Sequence, residues 1–495
     1  MAAETVAAPA IEGAPGEKGL KSNALGLMSS IVIGVASTAP GYSLAASLGL
    51  VVAAVGLQAP AIMWVSFLPM LLVATAYYYL NRVDPDCGTT FSWGTKAFGP
   101  VVGWLGGWGI IVADIIVMAN LADIAGRYTF LLFGADSAAD SKYAVLLVGV
   151  AWIAVMTWIC YIGIEASAKT QWFLLGAEII TLFLFAVIAL VKVYSSPPSD
   201  SLRPSLDWLN PFAIDSSSAL ASGLLVAIFI YWGWDSLVSV NEETENKERT
   251  PGIAAVLSTI ILVGIYVVVT IAAQAYAGTE FLVDNSDDVL SALGKEVFGW
   301  ADFLLIIAVL TSASASTQTT ILPTTRTSLS MASQRAIPQY FARIHPRHLT
   351  PSTSTIWMGV LSIVWYAGLT VVSENILFDS IAALGLMIAF YYGLSGYACV
   401  WFFRKSMRTP KGILLAGVAP FTGAVILTWV FVRSVIDLSN PENSESGNSW
   451  FGLGPPLVIA ILFLLLGIVI MLLQWRFEPG FFRRKAELPD PELKL

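Results

Sequence analysis

Charge is what this 495-residue sequence has least of: 12% of its residues are Asp, Glu, Lys or Arg, against 56% hydrophobic. An ordinary soluble domain carries about 25% charged residues, so the water-facing surface of a soluble globule is missing. Histidine is scarcer still. The two present, His345 and His348, share one polar segment with no metal-ligand set around them. Cys87, Cys160 and Cys399 are too far apart, and odd in number, for a disulfide framework or a zinc site, and they read as buried structural thiols. No Walker loop, no G-x-S-x-G elbow and no paired-carboxylate hydrolase pattern occurs. Nor is there a basic stripe with interleaved aromatics. These absences argue against an enzyme, a bound cofactor, a metal centre, a nucleic-acid partner and nucleotide-driven transport.

What is present is a series of apolar runs of roughly twenty residues, each long enough to cross a bilayer as a helix. Twelve membrane helices are expected, at 24–50, 57–80, 99–133, 143–163, 170–194, 217–239, 253–278, 301–330, 353–373, 378–403, 413–437 and 455–475. Residues 1–23, rich in Ala, Pro and Gly, lack the pattern of a secretory signal and read as a disordered cytoplasmic tail. Residues 477–495 read as a second tail. Of the 26 Lys and Arg residues, only Arg127, Lys142, Lys192, Arg203, Lys295 and Arg433 fall on the side away from the termini. The positive-inside rule therefore places both termini in the cytoplasm of a multi-pass plasma-membrane protein.

Two of the helices are interrupted. The first contains Gly34-Val35-Ala36-Ser37-Thr38-Ala39-Pro40-Gly41, where proline removes a backbone donor and clashes with the preceding turn. The sixth contains Tyr231-Trp232-Gly233-Trp234-Asp235-Ser236, with glycine between bulky aromatics and a carboxylate at membrane depth. Helices one and six hold equivalent positions in two sets of five. Such matched interruptions mark the midplane site of a secondary transporter, because free N–H and C=O groups inside a bilayer must face a ligand, an ion or water.

Intramembrane carboxylates are costly and usually functional. Asp114 in helix three, Glu178 in helix five and Asp235 at the sixth-helix break each bind a neighbouring helix, exchange a proton or neutralise a cation. No Lys or Arg is placed centrally enough to partner them, which favours a cationic ligand or a proton. Helix eight carries the hydroxyl-rich run 311–320, read chiefly as close helix packing. One or two of its hydroxyls facing helix one are candidates for Na⁺ coordination. Tyr42, Tyr231, Trp232 and Trp234 cluster near the breaks, where aromatics can cover a substrate or bind an amine by a π-face.

Together these residues resemble the amino acid–polyamine–organocation (APC) superfamily of secondary transporters over roughly 24–403. The most specific piece is Trp232-Gly233-Trp234-Asp235 followed by Asn241-Glu242-Glu243-Thr244 and Lys247-Glu248-Arg249-Thr250-Pro251. Further matches are Pro85-Asp86-Cys87-Gly88-Thr89-Thr90-Phe91 with Phe98-Gly99-Pro100, and Arg326 through Ile337-Pro338, His345-Pro346-Arg347 and Thr350-Pro351. The resemblance implies an all-α, LeuT-like fold. Its first repeat would be 24–195 and its inverted repeat 196–403, with helices eleven and twelve (404–476) appended and alternating access about helices one and six.

Two departures shape what is carried over. The family's Gly-Ser-Gly in the first break is here Gly34-Val35-Ala36, followed by Ser37 and Thr38. Where many members have a lysine in helix five, this sequence has Glu178. The expectation is a proton-coupled uptake carrier for an amino acid or small organic amine, working as a monomer or homodimer. Amides at Val35, Ala36, Ser37 and Thr38 would meet a substrate carboxylate. Asp235 and the carbonyls beside it would meet the amine, with Tyr231, Trp232 and Trp234 walling the site. Glu178 or Asp114 would take the proton. A polyamine carrier, Na⁺ coupling and an inorganic cation pathway are the alternatives on the same fold.

Overall fold

The computed structural model describes residues 16–486 except 287, 373 and 445, and the side chains of 374 and 378 also fall outside the description. Residues 27–83 fold as α1 (Leu27–Ser37), α2 (Pro40–Val55) and α3 (Ala59–Val83). α4 (Thr90–Phe98) leads into the long α5 (Pro100–Leu132), and α6 (Asp136–Ala139) links it to α7 (Lys142–Ile162) and α8 (Ile164–Ser195). Next come α9 (Ser217–Phe229), the short α10 (Ser236–Ser239), α11 (Thr250–Asp284), α12 (Val289–Phe298) and α13 (Phe303–Ser333). α14 (Ser352–Val372) and α15 (Glu374–Phe403) follow. α16 (Pro410–Gly412) runs through a π-helical stretch into α17 (Ala419–Leu438), followed by α18 (Pro455–Phe477) and α19 (Pro479–Phe482).

Ten helical runs among the described residues are long and apolar enough to cross a membrane. One of the ten is the whole of Leu27–Val83, and Ser217–Phe229 is too short to count alone. These are the two places where the expected tally of twelve spans differs. The helix expected from 170 begins at Ile164, because Glu165 and Lys169 lower the hydropathy without breaking the helix.

Both expected breaks are present, and each has a local cause. A residue before proline is pushed out of the right-handed helical region, and Ala39, ahead of Pro40, takes a left-handed φ of 47°. Gly233 has φ 114°, open to glycine without strain, and divides α9 from α10. The two breaks touch: a Cβ on Gly233 would lie 2.6 Å from the Ser37 carbonyl oxygen.

The centre of the bundle is α13. Every residue from Ala308 to Ala332 is buried, and this stretch is largely Ala, Ser and Thr, small enough for close approach by helices on all sides. The lipid-facing character goes to α7, α8, α14, α17 and α18, which expose Trp158, Phe173, Val364, Trp429 and Leu465 among other large apolar side chains.

On the face that carries both chain ends, Arg326 of α13 donates from Nε and Nη2 to the two carboxyl oxygens of Glu243 at 2.9 and 3.0 Å, with both side chains fully buried. The Glu243 carbonyl accepts the Ala24 and Leu25 amides, so the chain entering α1 is pinned to the segment leaving α10. Residues 1–15 of the expected disordered tail lie outside the described residues, while 16–23 depart from that expectation by packing here. Lys18 Nζ reaches Asp86 Oδ2 at 2.8 Å and Glu242 Oε1 at 2.6 Å, and Leu20 is buried. Burial works to raise the Asp86 carboxyl, but the Lys18 ammonium and the Ser330 and Ser92 hydroxyls outweigh it and hold the group well below the usual carboxylate range.

Arg326→Ala leaves Glu243 buried without its partner and is expected to cost about 3–5 kcal/mol of stability, while Arg326→Met with Glu243→Leu recovers most of it. Thermal unfolding in detergent measures both, and equal losses would contradict the pairing. Gly233→Ala adds about 1–3 kcal/mol of backbone strain together with the clash at Ser37, so transport should be lost. Gly176→Ala, with nothing within 4 Å of its new Cβ, is the control. A depressed acid stabilises above its unfolded value and loses that contribution as pH falls, so hydrogen-exchange protection of 18–25 should hold from pH 8 to 5 and weaken below about 4.

Candidate functional site

The breaks release backbone groups, and side chains from four helices meet them. At the end of α1, the Ser316 hydroxyl donates to the Ser37 carbonyl at 2.9 Å and the Ser43 hydroxyl to the Thr38 carbonyl at 2.8 Å. At the start of α2, the Gly41 amide donates to Glu178 Oε1 at 2.7 Å and the Tyr42 amide to the Ser312 hydroxyl at 3.1 Å. A carboxylate suits this place, because a helix N-terminus presents unpaired N–H groups and the positive end of its dipole. The second Glu178 oxygen, Oε2, is buried and unpartnered.

This geometry moves one expected feature. Val35, Ala36 and Ser37 form the last turn of α1, and the Thr38 and Ala39 amides bond back to the Val35 and Ala36 carbonyls. The amides of the Gly34–Thr38 stretch are therefore used within the helix, and the ones directed out of it are those of Gly41 and Tyr42. The reason is that the chain turns at the left-handed Ala39 and a new helix starts at Pro40, a residue suited to the first helical position. Gly34 stays helical and serves close packing, since a Cβ there would meet Ser258 Oγ at 2.7 Å.

The sixth-helix break is held by α15 and α11. Tyr391 and Tyr392 donate to the two oxygens of Asp235 at 3.2 and 2.7 Å. The Trp232 indole N–H donates to the Tyr391 hydroxyl, joining Trp232, Asp235 and the tyrosine pair in one network. The Tyr266 hydroxyl donates to the Ile230 carbonyl at 2.6 Å, and Tyr231 donates to the Met63 carbonyl at 2.8 Å. Trp234 is fully buried between Tyr392, stacked at 5.3 Å between centroids, and Tyr77, edge-on at 5.0 Å. It packs the segment leading into α10 against α3 and α15. The Ser37 and Ser236 hydroxyls, 2.7 Å apart, tie one break to the other.

Of the expected acidic groups, Glu178 and Asp235 lie at the breaks. Asp114 accepts the Thr324 hydroxyl of α13 at 2.6 Å and has no hydrogen bond to either break, but it lies near enough to Asp235 and Tyr391 to feel their charge. Sequence reasoning missed Tyr391 and Tyr392, although adjacent tyrosines in a membrane helix are a signal of polar groups needing partners. The hydroxyl run of α13 contributes Ser312 and Ser316 to the first break. Tyr42 donates to Asn120 of α5.

On the face away from the termini, an open depression of about 590 Å³ is lined by 52–58 and by Asp215, Thr279, Glu280, Val283 and Asp284. Its three charged residues are all acidic. Among the described residues, the one cluster of metal-ligating types is Asp86, Cys87 and Glu242 on the opposite face, and the Lys18 ammonium sits among them.

Residues 22–474 match the family model described as amino acid permease. An uncharacterized transporter of Mycobacterium tuberculosis is 26% identical over 424 residues, covering 83% of this chain and 87% of the relative. The branched-chain amino acid permease of Bacillus subtilis is 23% identical over 445 residues, covering 85% and 90%. A vacuolar cationic amino acid transporter of Arabidopsis thaliana is 24% identical over 339 residues, covering 64% and 53%. The chain is thus a multi-pass membrane transporter, not an enzyme, and belongs to the amino acid permease family of the APC superfamily.

Proposed function

We propose that the protein takes up an amino acid or small organic amine across the plasma membrane by alternating access, coupled to protons, with Glu178 as the proton carrier. The observation that carries this reading is the bond from the Gly41 amide to Glu178 Oε1, with Oε2 unpartnered beside it. The ionised carboxylate occupies the N-terminus of α2. Protonation converts one of its oxygens from acceptor to donor and weakens its hold on that N–H, which then becomes available to the substrate carboxylate. Proton and substrate thus favour the same state of the break.

In this scheme the substrate carboxylate meets the Gly41 and Tyr42 amides and its amine meets the carbonyls around Ile230 and the field of Asp235. Trp232 forms the wall, and Asp114 holds α5 to α13. Dividing Leu27–Val83 into two crossings and counting 217–239 as one gives twelve spans in a five-plus-five LeuT-like arrangement. The basic segments then place both termini in the cytoplasm and the acidic depression outside. A depression with three carboxylates concentrates cations, so a second reading, a carrier of amines without a carboxylate, has its own support.

Two measurements test the proposal. In liposomes with an internal pH dye, substrate should drive proton entry in the wild type. Glu178→Gln should abolish that entry while still binding substrate, and an undiminished flux in the variant would remove Glu178 from the role. The purified protein should also be stabilised by about 2.7 kcal/mol at a hundred times the substrate's Kd. Amino acids as hits support carboxylate recognition at Gly41 and Tyr42, whereas hits confined to carboxylate-free amines support the second reading.

A further inference from the structure

Between Glu178 and the terminal face, α8 carries polar groups that the binding scheme leaves unused. Ser167, Gln171 and Glu178 follow at spacings of four and seven residues, which puts them on one side of the helix, and all three have 0% exposure. That side packs on α13, where Gln171 Nε2 donates to the Ala315 carbonyl at 3.0 Å and to Gln318 Oε1 at 2.6 Å. The amide pair is left incomplete: Gln171 Oε1 and Gln318 Nε2 are buried without partners, like Glu178 Oε2.

One acceptor and one donor left over in the same pair are what a bridging water satisfies, accepting from Nε2 and donating to Oε1. Apolar packing would leave both groups unpaired in a low-dielectric interior, which is costly. The polar line continues toward the terminal face. Cys160 Sγ meets the Gln318 carbonyl at 3.5 Å, and the Ser167 hydroxyl donates to the Gly163 carbonyl at 3.2 Å, one residue before α8 begins. Leu174 and Leu175, both buried, stand on the turn between the pair and Glu178, and the two stations are about 10 Å apart along the axis at 1.5 Å per residue.

We propose that the Gln171–Gln318 pair holds water at the inner end of a path by which the proton on Glu178 leaves toward the terminal face. The proton departs from the Glu178 carboxylic acid to a water, restoring the carboxylate, and each water along the line passes one proton on as it receives one. The amides transfer no proton themselves. They hold the water in place, with Nε2 as donor and Oε1 as acceptor, and are positioning residues. The inference rests on the proton-coupled reading above.

The test compares wild type, Gln171→Leu and Gln318→Leu in liposomes, with Gln171→Met as the near-isosteric variant should a leucine variant lose its fold. Net uptake driven by a proton gradient should fall by about tenfold in each variant. Substrate-for-substrate exchange at equal pH, which needs no net proton release, should stay near wild type. An alkaline interior should restore part of the lost uptake. Unchanged net uptake overturns the proposal, and so does a parallel fall of uptake and exchange, which would signal lost packing. If wild type itself shows no substrate-driven proton entry, the proton-coupled reading fails and this path fails with it. Coupling in wild type with unaltered variants sinks the path alone.

Discussion

The constraint on which the structure depends is that a backbone group freed inside a bilayer must find a partner in the protein. Two helices are broken at membrane depth, and neither break is left to lipid. Ser316, Ser43, Glu178 and Ser312 meet the groups released around Ala39, while Tyr266 and the α15 tyrosines hold the sixth-helix break. The neighbours of the breaks are therefore the polar helices of the bundle. α13 is rich in Ser and Thr because it must approach closely and also supply hydroxyls. α8 carries the carboxylate because a helix N-terminus without its own cap calls for an anion.

The same contacts set what must change in transport. On the terminal side the segments flanking α1 and α10 are tied together: Arg326 to Glu243, the 24–25 amides to the Glu243 carbonyl, and Lys18 to Asp86 and Glu242. Under the alternating access proposed above, opening that side would part α1 from the segment after α10. The Lys18 pairs are only partly buried and are the weaker of these ties. The fully buried Arg326–Glu243 pair is costly to separate, because each charge would be left without a partner in a low-dielectric interior. It joins α13 to the chain after α10, so it can move as a unit while the N-terminal segment detaches.

Chemistry is concentrated where the packing is thinnest in hydrogen bonds. Glu178 has one oxygen engaged and one free, and Asp235 has both engaged by tyrosines. In the proposed scheme the carboxylates at the two breaks have different tasks. The first can change its bonding when it gains or loses a proton. The second has both oxygens held by tyrosine hydroxyls, of which Tyr392 itself packs against Trp234 and Tyr77. Asp114, equally buried, is spent on a helix-to-helix bond with Thr324.

Much of this was legible in the sequence. Apolar run length locates most of the spans, Pro40 and Gly233 mark the breaks, and the motifs from Trp232 to Pro251 point to the family, because hydropathy, a missing donor and a required positive φ are properties of the residues themselves. The register of the first break was not legible. It depends on which residue yields to Pro40, and so the open amides fall at Gly41 and Tyr42 instead of Val35 to Thr38. Nor could the sequence say that Tyr391 and Tyr392 reach Asp235, that Asp114 turns to α13, or that residues 16–23 fold onto the terminal face. Partners more than a hundred residues apart are chosen by helix packing, and only the tertiary structure decides which polar side chain stands opposite which freed backbone group.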